Sequence, residues 1–209
     1  MRRGAGSRRE ARASEDPAAL VARAVRWLAI RERSEADLRA RLAVYGEPEA
    51  VDAALAWLRE RGYVSDRRFT ETFTEHATLE EGMGARRLRA ELARHGVGAP
   101  LREAAAQVAA EREEAGARRV VERLTGRMRG VPPEVRLRRI AAALARRGFR
   151  TELVVRLARE VARGDAVDAT GVDLEALAEA LAQEVPADET ETETPAEGQR
   201  GSSLDGLEP

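Results

Sequence analysis

The stretch Gly84–Gly96, GARRLRAELARHG, decides the fold of the chain. Leu88, Leu92 and Gly96 stand four residues apart, so two apolar side chains share one helical face and a glycine follows as a left-handed stop. The same frame occurs as Leu38, Leu42 and Gly46 in SEADLRARLAVYG, and as Ile140, Leu144 and Gly148 in VRLRRIAAALARRG. The three glycines lie 50 and 52 residues apart, a period that belongs to repeat architectures.

Composition agrees with an all-α chain of tandem repeats. Aromatic residues make up only 3% of 209 residues, so the core must be built from Leu, Val and Ala, while 35% of the chain is charged. There is no cysteine, which excludes disulfides, zinc ribbons and a thiol nucleophile and fits a cytoplasmic setting. No apolar run approaches the roughly 20 residues of a membrane-spanning helix. The first sixteen residues hold five arginines with no hydrophobic segment behind them, so no secretory signal is expected there.

Helix stops divide the chain into three three-helix units in tandem. Residues 1–16 read as a disordered basic arm. The first unit, 17–64, has helices opening near Pro17 behind Asp16, at Ser34 with Asp37 in a capping-box position, and at Pro48, with Gly62 closing it. The second, 65–110, begins at Ser65-Asp66, turns Phe69, Phe73 and His76 inward, breaks at Gly82 and Gly84, and centres on the quoted helix. The third, 111–163, contains the last copy of the frame and a final helix capped by Thr151. Residues 101–127 admit either one helix or two, because Gly116 is the only breaker. Residues 164–209 form an acidic, mostly disordered tail, with a short amphipathic helix expected over 172–185.

A net charge of −1 conceals a strong asymmetry. Residues 1–164 carry 35 arginines against 24 acids, and residues 165–209 carry one arginine, Arg200, against 13 acids. The basic body is thereby suited to a polyanion, or to a partner that holds one. Every basic residue except histidine is arginine, whose planar fork matches phosphate. On the quoted helix, Arg86, Arg87 and Arg94 lie opposite Leu88 and Leu92. An offset of 52 maps them onto Arg138, Arg139 and Arg146, with Arg147 adjacent. They read as a stripe unpaired by glutamates four residues on. Arg39 and Arg89 match each other between the first two units and flank it.

Nothing in the chain points to catalysis. No H-x3-H, H-E-x-x-H, C-x-x-C or calcium-loop pattern exists to hold a metal, and no lysine-bearing phosphate loop follows a strand. Of the two histidines, His95 falls near the buried side of its helix and reads as structural. No cofactor is expected.

Four motifs in order resemble the RecX family of regulatory proteins. They are Arg33-Ser34-Glu35 with Leu38 and Leu42; Gly62-Tyr63-Val64-Ser65-Asp66 with Arg68-Phe69; Gly84, Arg87, Leu88, Leu92, Gly96 and Val97; and Arg146-Arg147-Gly148-Phe149. They span about residues 20–162. Departures from the family pattern are Thr70 after the phenylalanine, Leu88 for isoleucine and His95 for a basic residue. The resemblance implies that the three units stack into an elongated, curved, non-enzymatic array that binds the RecA filament on single-stranded DNA. There it would lower ATPase and strand-exchange activity, and so modulate recombination, DNA repair and the SOS response. It also implies DNA contacts within the filament, and the stacking of repeats within one chain is compatible with a monomer. The alternative is a helical regulator that binds duplex or single-stranded DNA without RecA.

Overall fold

The computed structural model describes residues 16–164 and 173–183, and among these every regular element is helical. The elements are α1 (Pro17–Leu28), α2 (Glu35–Leu42), α3 (Pro48–Glu60), α4 (Asp66–His76), a π-helical turn (Ala77–Glu81), α5 (Ala85–Arg94), α6 (Ala99–Glu111), α7 (Glu113–Arg127), α8 (Pro133–Arg146), α9 (Thr151–Gly164) and α10 (Leu174–Gln183). Side-chain caps form where the sequence places them. Asp16 accepts from the Ala19 amide at 2.8 Å, Ser34 from Asp37 at 3.0 Å and Ser65 from Arg68 at 3.3 Å, each satisfying an otherwise orphan donor.

Buried apolar side chains gather into three clusters in chain order. Leu20, Leu38, Leu42, Leu55 and Leu58 fill the first; Phe69, Leu88, Leu92, Val97 and Ala105 the second; Leu137, Ile140, Leu144, Phe149 and Leu157 the third. Each repeated Leu/Ile pair is fully buried at the centre of its cluster. Burial of one such side chain is worth about 1.5–3 kcal/mol.

The structure decides one open reading and corrects several others. The chain between Ala99 and Arg127 forms two helices that part at Arg112, while Gly116 lies inside α7, buried against the Phe149 ring. Gly96 and Gly148 adopt left-handed backbone, whereas Gly46 does not. His76 faces outward, 3.3 Å from Glu80 and 3.4 Å from Glu81. Thr151 is the first residue of α9, and it is the Arg150 amide before it that is held by a side chain, Glu113. The expected arm at 1–16 and the end of the tail lie outside the described residues, apart from Asp16.

The short helix expected in the acidic tail is α10, and it packs on α8 and α9. Leu174 and Ala178 are buried in the third core, with Leu177 against it. Leu174→Ala should therefore lower stability by about 2–3 kcal/mol, the cost of a core truncation. A urea midpoint equal to that of the unsubstituted chain would show that α10 adds nothing to the third core.

Candidate nucleic-acid interface

The repeated central helices α2, α5 and α8 meet end to end. At the first joint, the Glu35 amide donates to Asp66 Oδ1 at 2.8 Å, and His95 Nδ1 stands 2.9 Å from Asp37 Oδ2. The His95 ring sits edge-on to Phe69 and Phe73, with centroids 5.3 Å apart in both cases, which makes it part of the packing as expected. At the second joint, the Gly84 amide donates to the Arg147 carbonyl at 2.7 Å, and the Arg86 amide to that of Gly148 at 3.3 Å. Two of the open N–H groups that begin α5 are thus satisfied by the carbonyls that end α8, without a side-chain cap.

This joint decides where the arginines go. Arg86 is half-buried, its guanidinium reaching the Ala145 carbonyl at 3.4 Å. Burial pushes it below its ordinary pKa, and the carboxylate of Glu113 partly restores it. Arg87 reaches the Arg146 carbonyl at 3.4 Å. The stripe is also not free of glutamate, because Glu91 lies 3.4 Å from Arg87 and 3.0 Å from Arg94. The residue four beyond Arg87 is therefore its partner.

The other predicted residues separate into two groups. Arg39 pairs with Asp52 of α3, and Arg89 pairs with Glu103 of α6 at 2.7 Å. The pair shared by the first two units is the same tie from central to third helix. Arg138 and Arg139 are exposed on α8 with no partner among the described residues. They stand two turns from Arg146, which is also exposed, and from Arg147.

Four arginines of the structure crowd together: Arg87, Arg123, Arg146 and Arg147. The Arg147 guanidinium is held below its ordinary pKa first by burial, then by Arg123, Arg87 and Arg146, and its hydrogen bond is to the Ala143 carbonyl at 2.9 Å. Like charges packed this way favour an anion, and guanidinium forks favour a phosphate or carboxylate. Sequence reading missed Arg123, which lies on α7, outside the repeated helix used to find the others. Among the described residues no group of three or more His, Cys, Asp or Glu side chains is placed to hold a metal.

Comparison with known proteins adds a family. Residues 65–105 match the model of the RecX second three-helix domain. A regulatory protein RecX of Amycolatopsis mediterranei is 32% identical over 148 residues, covering 70% of this chain and 85% of that relative. The one of Thermobifida fusca is 37% identical over 121 residues, covering 57% of this chain and 65% of the relative's length. The crystal structure of RecX from Lactobacillus salivarius has the same fold, with a TM-score of 0.59 at 14% identity over 70% of this chain and 96% of that one.

Proposed function

The chain belongs to the RecX family of regulatory proteins, and on that premise we propose that it binds the filament RecA forms on single-stranded DNA and inhibits its ATPase and strand-exchange activities. It acts there as a monomeric, non-catalytic cytoplasmic regulator of recombination, DNA repair and the SOS response. The division into units 17–64, 65–110 and 111–163 belongs to the same proposal, with α10 added to the third. The observation that carries the reading is the arginine crowd at the joint of α5 and α8. It gives a basic surface that favours an anionic partner.

A duplex-reading regulator is disfavoured by the same joint. A helix-turn-helix module contacts base edges through the N-terminal residues of its recognition helix. Here the first turn of α5 is occupied by the end of α8, so those residues are already engaged.

The test is RecA's DNA-dependent ATPase on preformed single-strand filaments, with the protein added at rising ratio. Inhibition is expected, and its absence would overturn the reading. Arg138→Ala, Arg139→Ala and Arg146→Ala together should weaken inhibition about tenfold or more, because each removes an exposed, unpaired charge worth about 0.5–1 kcal/mol or more against an anion. Unchanged inhibition would remove these three from the interface.

A further inference from the structure

Helix α7 carries arginines on two faces, and the structure treats them differently. Arg118 is held by Glu114 at 3.0 Å and by Glu160 at 2.8 Å. Arg119, Arg123 and Arg127 follow one another at four-residue spacing on a separate face. All three are exposed, and none has an ion pair or hydrogen bond with a described residue. Ala117 and Val120 are fully buried in the third core and lock the rotation of the helix, so the row cannot turn away from solvent.

The row borders a groove of about 180 Å³ between α7 and the π-helical turn, lined by Leu79, Glu80, Gly82, Gly116, Arg119 and Arg123. Two of these six are glycines, which leaves backbone bare in the wall. Gly82 must remain so, because a Cβ there would collide with Val120. Glu80, the carboxylate of the groove, lies 3.3 Å from His76 and forms no ion pair with Arg119 or Arg123. The row continues the positive crowd at Arg147, next to Arg123.

We propose that Arg119, Arg123 and Arg127, with this groove, form a track for the phosphodiester backbone of a nucleic acid, the ligand class resting on the function proposed above. At 1.5 Å rise per residue the row is about 12 Å long, with about 6 Å between arginines. One strand of a duplex presents three or four phosphates over that length, at about 3.4 Å of axis each, so every arginine can take a phosphate of its own. Guanidinium forks bind phosphate oxygens in pairs. Helix α7 has no aromatic residue to stack on a base and no Asn or Gln to read a base edge, so the track engages backbone regardless of sequence.

The experiment needs no RecA. Full-length protein is titrated into fluorescein-labelled oligothymidine and into a labelled mixed-sequence duplex across a salt series. The Arg119→Gln, Arg123→Gln, Arg127→Gln protein is compared with a charge-matched control, Arg26→Gln, Arg31→Gln, Arg163→Gln, all exposed positions elsewhere. Loss of three phosphate contacts should flatten log K against log salt by about 2 on the single strand and nearly 3 on the duplex. The polymer whose slope change comes nearer to its own full three-contact value is the one the track prefers. The control should keep the original slope. An unchanged slope in the α7 variant, equal flattening in the control, or no binding of either oligonucleotide by the unsubstituted protein overturns the proposal. Filament inhibition is read separately, so a chain that inhibits RecA without the slope change loses this track alone, and one that shows the slope change without inhibiting RecA loses the filament reading alone.

Discussion

Gly148→Ala is expected to destabilise the protein by about 3–4 kcal/mol, while Gly62→Ala should cost only about 1–2. The two glycines share nearly the same backbone, with φ of 79° and 70°. A left-handed residue with a Cβ costs about 1–2 kcal/mol wherever it occurs. The neighbours differ. A Cβ on Gly62 would meet nothing within 4 Å. One on Gly148 would strike the amide nitrogen and Cβ of Arg87, and the backbone of Gly148 in turn lies where a Cβ on Gly84 would go. Neither contact is with the end of a flexible side chain, so relief requires the α5–α8 joint to open. Opening would strain the Gly84–Arg147 and Arg86–Gly148 backbone hydrogen bonds as well. Urea unfolding of both variants tests this. Equal midpoints would mean that the conformational cost is the whole effect and that the joint yields freely.

That pair of glycines also marks the boundary of what the sequence discloses. Leu88, Leu92, Ile140 and Leu144 were legible as core because a four-residue apolar period dictates its own burial on a helix. The caps at Asp16, Ser34 and Ser65 were legible for the same reason, since donor and acceptor lie within one turn. The joint was not. Its bonds join Gly84 and Arg86 to residues about 60 positions away, and no local pattern records such a meeting. Gly148 therefore reads as a helix stop when it is also a site of close backbone approach. Gly46, which has no further central helix to seat against, keeps the frame without the left-handed conformation. The arginines follow the same division. Their helical face was readable, but Arg86 and Arg87 were assigned to an open stripe because the end of α8 that covers them is distant in sequence. Arg123 was overlooked because the repeat was aligned on α5 and α8, and its place beside Arg147 depends on how α7 packs against them. Leu174 and Ala178 were visible as an amphipathic face, yet the acidity of the surrounding segment hid that the face had a core to join.

Glu113→Ala should be the second severe change, at about 2–4 kcal/mol, because it removes a buried charged acceptor of two hydrogen bonds, while its exposed partner Arg150 can still reach water. Glu113 opens α7, and its side chain is completely buried. It accepts from Arg150 Nε at 2.5 Å and from the Arg150 amide at 3.3 Å, so it ties α7 to the start of α9. Its charge also faces Arg86, whose guanidinium is desolvated at the joint and has a buried Nε with no hydrogen-bond partner. Alanine would leave the Arg150 amide without its side-chain acceptor and Arg86 without its counter-charge. Glu113→Gln retains the shape and an acceptor oxygen but not the charge, so it should recover part of the loss, about 1–2 kcal/mol. The contribution of Arg86 is separable by a double-mutant cycle with Arg150→Ala. Arg150 is 63% exposed at its side chain and can turn to water when Glu113 is lost, whereas the half-buried Arg86 guanidinium is engaged at the joint by the Ala145 carbonyl. Glu113→Ala should therefore remain clearly destabilising in the Arg150→Ala background. A loss below about 1 kcal/mol there would place the whole role of Glu113 in its pairing with Arg150 and remove it from the support of the α5–α8 joint.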